Sequence, residues 1–292
     1  MRFFNTAGPV DCRDHYCLPP LERFDLSEIE MLIGQKKYFV LHAPRQTGKT
    51  STLLALMDHL NHQGQYKALY CNVEPAQAIR ENVDQAMNII LGELAQMAQI
   101  YLQDDFIAQH RHHYLSQESY GNALASLLRS WTQQSPQPIV LMLDEIDALI
   151  GDSLISVLRQ LRSGYTQRPT HFPQSIILCG VRDVRDYRIH SSSTKEIITG
   201  GSAFNIKAKS LRLGDFIQPE VESLLLQHTE ETGQEFTPDA TRCIWHLSQG
   251  QPWLVNALAY ETCFEMKEGR DRSLIINKEM VAQAKEDLMS ML

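Results

Sequence analysis

Three observations predict an α/β fold: a doubly wound, mostly parallel five-stranded sheet followed by a helical lid. The runs "YFVL", "KALYCNV", "IVLMLD" and "SIILCG" are apolar on both faces, as strands buried between two layers are. Stretches of helical periodicity separate them, so the strands connect by crossovers rather than hairpins. After Asp215, four helical stretches follow with no strand between them.

Each element follows in order. Residues 1–26 are rich in Pro, Asp and aromatics and form an irregular lead-in. "LSEIEMLIGQ" is a short amphipathic helix, and 38–41 is the first strand. The loop 42–48 opens a helix that stops at Gly64. Residues 67–73 make the second strand. A helical region fills 75–133, with a break around "HRHHYLSQESYG". The third strand lies in 138–147 and ends in acids, and "SLISVLRQLRSG" is the helix after it. Residues 175–180 are the fourth strand and "FNIKA", 204–208, the fifth. Gly233, Gly250 and Gly269 then punctuate the lid, where Trp245 and Trp253 are core residues. The predicted division is a lead-in of 1–26, a core of 27–214 and a lid of 215–292.

Composition excludes several classes. The 292 residues are 43% hydrophobic, enough for a full core and two packing units. A net charge of −8 argues against broad nonspecific nucleic-acid binding. No apolar stretch approaches the ~18 residues of a membrane span. The N-terminus meets Pro and Asp too soon for a signal peptide, so the cytoplasm is the expected compartment. The six cysteines show no C-x-x-C pair, which predicts reduced thiols over a disulfide or zinc framework. His110 and His113 lack a carboxylate or cysteine cluster, so "HRHHY" is an exposed polar helix rather than a metal site.

The chemistry starts at "HAPRQTGKTS". Ala43 stands where the phosphate-binding pattern G-x-x-x-x-G-K-[ST] has its first glycine. That glycine eases the turn off the strand, and alanine serves if its φ stays negative. The loop Ala43, Pro44, Arg45, Gln46, Thr47, Gly48, Lys49, Thr50 and Ser51 is the candidate nucleotide cradle. Gly48 permits the tight turn, Lys49 spans the β- and γ-phosphates, and the Thr50 hydroxyl ligates Mg²⁺. The helix N-terminus adds its amides. A second motif, "IVLMLDE", ends a strand in Asp144 and Glu145: Asp144 holds a Mg²⁺-bound water and Glu145 is the general base. Past the fourth strand, Arg182, Arg185 and Arg188 are three apart and share a helical face if that segment is helical. Arg182 is the candidate γ-phosphate sensor, competing with a surface pairing to Asp183 or Asp186. Arg159 and Arg162 are candidates for a finger acting on a neighbouring subunit. A helicase of the DExD type would need a second α/β domain, and a small-molecule kinase fits the paired Asp-Glu less well.

Taken together, "HAPRQTGKT", "LMLDEID", "ILCGVRD", "SAFNIKAKSLRLGDF" and "GQPW" resemble AAA-like ATPases, in particular the bacterial and archaeal group related to STAND signalling ATPases. With the lead-in "FFNTAGPVDCRDHYCLPP", the resemblance covers nearly the whole chain. It implies ATP and Mg²⁺, with Lys49, Thr50, Asp144, Glu145 and Arg182 in the roles above. It also implies that Pro252 of the G-x-P begun by Gly250 packs near the adenine, flanked by Tyr16, Pro19 and Pro20. Two departures stand out: Cys179-Gly180 replaces the polar first sensor, and no arginine adjoins the G-x-P. Slow, partner-gated hydrolysis is therefore expected. The function implied is a nucleotide-driven conformational or assembly switch that binds ATP and ADP and engages a protein partner or further copies of itself. The competing class is a noncatalytic nucleotide-binding module in a defence or signalling complex.

Overall fold

The computed structural model describes residues 1–191 and 195–291, without the side chains of Arg185 and Met291. They form two compact units. One comprises Asp25–Pro44 and Leu53–Arg212, the other Met1–Phe24, Arg45–Thr52 and Leu213–Leu292.

The first unit is built on a five-stranded sheet: β1 (Tyr38–His42), β2 (Lys67–Asn72), β3 (Ile139–Asp144), β4 (Ser175–Gly180) and β5 (Lys207–Arg212). The order is β2-β3-β4-β1-β5, and every pairing is parallel. All twelve residues of β3 and β4 are buried, which is why neither strand alternates in polarity. Helix α1 (Leu26–Gly34) precedes β1, and α2 (Lys49–Gln63), α3 (Val83–Leu102), α4 (Phe106–Gln117), α5 (Tyr120–Gln134) and α6 (Gly151–Ser163) lie in the connections between strands. One apolar cluster joins Leu69, Leu91, Leu128, Trp131, Leu141 and Leu178. Each fully buried side chain of this kind contributes about 1.5–3 kcal/mol.

Two boundaries differ from the sequence expectation. The helical region breaks at Glu118–Ser119, inside the expected stretch "HRHHYLSQESYG", but it breaks also at Gln103, left-handed with φ 52°, where no break was expected. The fifth strand begins at Lys207 rather than Phe204, because Phe204 is buried behind the one-turn helix Gly200–Ala203. β5 is an edge strand of half-buried and exposed residues, so it carries no apolar run to mark it. Lys207 faces inward and pairs with Asp183 at 2.6 Å, with Ser210 completing the set.

The second unit holds helices α7 (Gln218–Thr232), α8 (Pro238–Ser248), α9 (Pro252–Tyr260) and α10 (Lys278–Met291). Its core gathers Val221, Leu224, Ile244, Val255 and Leu258 around Phe4 and Tyr16 of the lead-in. Those two aromatics sit on a short parallel pair, Phe3–Phe4 with His15–Tyr16, so the lead-in is more regular than its composition suggests. It also corrects the cysteine expectation: Cys12 and Cys17 form a disulfide. Asp14 N and His15 N both donate to Asp11 O, and this turn brings the two Cα atoms to 5.4 Å, within bridging range. The other four cysteines are free thiols.

Candidate nucleotide-binding site

The chain leaves β1 through Ala43, which is buried, keeps a negative φ and donates its N–H to Gly180 O at 3.2 Å. The turn is made further on, by two left-handed residues: Gln46 at φ 61° and Gly48 at φ 88°. Gly48 is the position where glycine is required. A Cβ there would also meet the Arg23 guanidinium at 2.8 Å. Pro44, Arg45 and Gln46 are exposed, whereas Thr47 and Lys49 are buried and Thr50 and Ser51 half-buried. Lys49 begins α2, so the first amides of that helix belong to Lys49, Thr50 and Ser51.

Within the second unit a cavity of about 200 Å³ is lined by Gln46, Gly48 and Ser51 of this loop and by Pro252. Tyr16 and Pro20 also line it, and Pro19 does not. Ala43, Pro44, Arg45, Thr47, Lys49 and Thr50 are not among its lining residues. Pro252 opens α9 at the position where its missing N–H costs nothing, with Gln251 as N-cap accepting from Leu254 N. Gly250 takes φ 77°, and a Cβ there would lie 2.0 Å from Phe216 O.

The walls are tied to each other. Val10 N donates to Ser51 Oγ at 2.9 Å, Gln251 Nε2 to Gln46 O at 3.3 Å, and Trp253 Nε1 to Thr6 O at 2.9 Å. Trp253 is therefore a cavity wall and not the core residue expected; Trp245 does pack on the helical core. Two polar atoms in the lining, Thr52 Oγ1 and Asn256 Oδ1, are buried with no hydrogen-bond partner. The Asn256 amide orientation is set by Nδ2, which donates to Pro252 O at 2.8 Å. Unmatched buried polar atoms are uncommon, and a ligand or water supplies their partners. A left-handed glycine under a guanidinium, helix-start amides and these two atoms suit a phosphorylated, polar-edged ligand.

The acids lie in the sheet unit. Asp144 closes β3 and is fully buried; it accepts from Tyr70 Oη at 3.2 Å and from Glu145 N at 2.9 Å. Glu145 lies past the strand in a left-handed conformation, φ 55° and ψ 40°, half-buried. That kink turns its side chain away from the strand's own alternation. Asp147 was not flagged by the sequence motif: its Oδ1 accepts from Val181 N at 3.1 Å and sits 2.5 Å from where a Cβ on Gly180 would be. It fastens the tips of β3 and β4 together. No signal but its place three residues after Asp144 announces it.

Residues 27–276 match the AAA-like domain family. The chain belongs to that family. Solved structures share its fold, three of them as follows. A Walker-type ATPase of Pyrococcus abyssi aligns with a TM-score of 0.61 at 14% identity over 99% of this chain and 77% of its own. A chain of Drosophila ORC bound to DNA gives 0.59 at 14% over 94% and 62%, and Cdc6p of Pyrobaculum aerophilum gives 0.58 at 16% over 93% and 68%. This AAA-like chain thus spans less than two thirds of the ORC chain's length. No curated protein sequence matches it significantly.

The arginines of this AAA-like chain do not share one helical face. Arg182 is exposed just past β4, a one-turn helix occupies Val184–Asp186, and Arg188 starts a short strand, Arg188–His190. The side chain of Arg185 lies outside the described residues. Asp183, the neighbour of Arg182, is engaged by Lys207. Arg159 and Arg162 are exposed on α6, and Arg162 Nη1 donates to Ser202 O at 3.1 Å. No helix among the described residues is long and apolar enough to cross a membrane.

Proposed function

We propose that this chain is a Mg²⁺-dependent ATP-binding and ATP-hydrolysing AAA-like ATPase, of the branch related to STAND ATPases, that acts in the cytoplasm as a nucleotide-driven conformational or assembly switch. The observation that carries the reading is the cavity beside Gly48 and Ser51, with Thr52 Oγ1 and Asn256 Oδ1 buried and unmatched in its lining. Its Tyr16, Pro20, Pro252 and Trp253 surfaces suit a flat base, and the loop beside them suits phosphates.

In this reading Lys49 and the amides of residues 45–51 hold the phosphate chain, with Ala43 and Pro44 shaping the turn. Thr50 and Asp144 hold Mg²⁺, which when bound offsets phosphate charge. Glu145 takes the proton of the attacking water as its oxygen bonds to the γ-phosphorus. The β–γ bridging bond then breaks, releasing ADP and phosphate. Arg182 reads the γ-phosphate. We divide the chain for this purpose into a lead-in of 1–26, a core of 27–214 and a lid of 215–292, with nucleotide state changing the lid's contacts with a protein partner or a second copy. The noncatalytic alternative is favoured by one feature: β4 ends in buried Cys179 and in Gly180, neither offering an amide or hydroxyl side chain to a γ-phosphate.

Titration calorimetry with MgATP, paired with single-turnover hydrolysis, tests the reading. Wild type should bind ATP, and Lys49→Ala should lose that binding while keeping its circular dichroism. A folded Lys49→Ala protein with near-normal ATP affinity overturns the site. ATP binding without turnover selects the noncatalytic module.

A further inference from the structure

We infer that Arg23, in the lead-in, is a phosphate-binding cation of the nucleotide cavity, its counter-charge supplied by the ligand rather than by the protein. This rests on the nucleotide reading above and extends it to a residue that no motif marks.

Arg23 ends the one-turn helix Pro20–Arg23 and lines the same cavity as Gln46, Gly48 and Ser51. Its guanidinium stacks on Phe216, with Cζ 4.7 Å from the ring centroid. Nη1 donates to Thr47 O in the loop and Nη2 to Gly214 O at the approach to α7. The fork lies over Gly48, 2.8 Å from the position a Cβ would take. Both partners are neutral carbonyls. Asp215 and Glu220 act on it only at a distance, and burial pushes its pKa down, against the charge.

An arginine stays charged under such pressure, so the cost of burial falls on the protein. A desolvated cation without a carboxylate is costly unless something else neutralises it. Arg272 in the same unit meets a similar cost differently, giving Nη1 to Gln234 Oε1, Cys263 O and Gly269 O. Arg23 makes fewer bonds and opens on a cavity beside a phosphate loop. An anion held at Gly48 satisfies the donors that remain. Because the same fork grips Thr47 O and Gly214 O, that anion is registered where the chain enters α7.

Two substitutions separate charge from clasp. Arg23→Met removes the charge and keeps the apolar stem against Phe216. Its unliganded melting temperature should stay close to wild type, because removal of a half-buried charge offsets the two carbonyl bonds lost with it. Its ATP affinity should fall roughly ten- to hundredfold, the range for a charge-assisted bond. Arg23→Lys cannot bridge two carbonyls but keeps the charge, and should bind ATP within a few-fold of wild type. The inference is overturned if Arg23→Met melts lower yet keeps its ATP affinity, or if Arg23→Lys is as weak as Arg23→Met. A wild type whose melting ATP does not shift removes the nucleotide site itself and this inference with it. A wild type that responds, alongside an Arg23→Met protein that responds equally, removes only the inference.

Discussion

The tips of the sheet and the wall of the cavity are built on opposite terms. At the tips the polar groups are matched by the protein. Asp144 has Tyr70 and Glu145 N, Asp147 has Val181 N, and Asp183 has Lys207 and Ser210. In the cavity wall Thr52 Oγ1, Asn256 Oδ1 and the charge of Arg23 lack such answers. The sheet unit does contain unmatched buried atoms, Ser153 Oγ and Arg168 Nη1, but they belong to α6 and the segment after it. Matched groups hold catalytic geometry without a ligand, because partners and burial fix their rotamers. Unmatched groups gain when a ligand arrives. On the proposed function, chemistry falls to the strand tips and binding energy to the cavity wall.

The strongest test of that split is Glu145→Gln. If the tip does chemistry and the wall does binding, hydrolysis should fall ~10²–10⁴-fold, the usual general-base contribution, with ATP affinity unchanged. Calorimetry and single-turnover rates on the same preparation decide it. Equal hydrolysis in mutant and wild type would make Glu145 a structural residue held in its left-handed kink for other reasons. A loss of affinity as large as the loss of rate would erase the distinction between tip and wall.

Arg182 sharpens the comparison at a smaller scale. It lies just past β4, exposed, with Asp183 beside it already taken by Lys207. A γ-phosphate sensor there should favour ATP over ADP, because ADP lacks the group it reads. Arg182→Ala should weaken ATP roughly 10–100-fold, at ~1.5–3 kcal/mol for a charge-assisted bond. ADP affinity should hardly change. Equal losses for both nucleotides, or none, return Arg182 to the solvated surface and make Arg188 the next residue to examine.

The two regions also differ in how far the sequence discloses them. β1 to β4 are legible because full burial on both faces demands unbroken apolar runs, and α2 because Lys49 and Gly64 bracket it. The edge strand β5 escapes, since half of its environment is solvent and its inward residue is a lysine. The phosphate loop and Asp144-Glu145 are legible because their chemistry needs fixed types at short spacing. Arg23 lies far from Trp253 and Asn256 in the chain, and only folding brings it to their cavity. The Cys12–Cys17 bridge was hidden for a local reason: a turn at Asp11–Asp14 closes a pair that is not spaced C-x-x-C.

The smallest expected effect concerns the helical unit behind the wall. His228 is fully buried among Phe4, Tyr16, Phe236 and Phe264, with centroids 5.6–5.9 Å away. Its Nε2–H donates to Gln234 Oε1 at 2.9 Å, so Nδ1 accepts from Tyr16 Oη at 3.2 Å. This arrangement needs the neutral ring. Burial first, with nearby Arg272 adding to it, holds the pKa below the ordinary value of about 6.5, against an opposing bond from Gln234 and the charge of Glu231. The unfolded chain therefore takes up a proton at a higher pH than the folded one. Stability is complete above about pH 6.5 and is lost as pH falls from there to the folded value, by about 1.4 kcal/mol per pH unit separating the two. Glu231, held below its ordinary carboxylate value, titrates at lower pH and does not share this window. His42 in the sheet unit is displaced in the same direction, so wild type alone does not isolate the helical unit. Urea unfolding at pH 7.5 and 5.5 in wild type and His228→Gln does. The variant should be less stable at both pH values, because its side chain fits the aromatic cage poorly, yet show a smaller difference between them. An undiminished difference would assign the pH dependence to His42 and leave the cage that backs the cavity wall insensitive to mild acid.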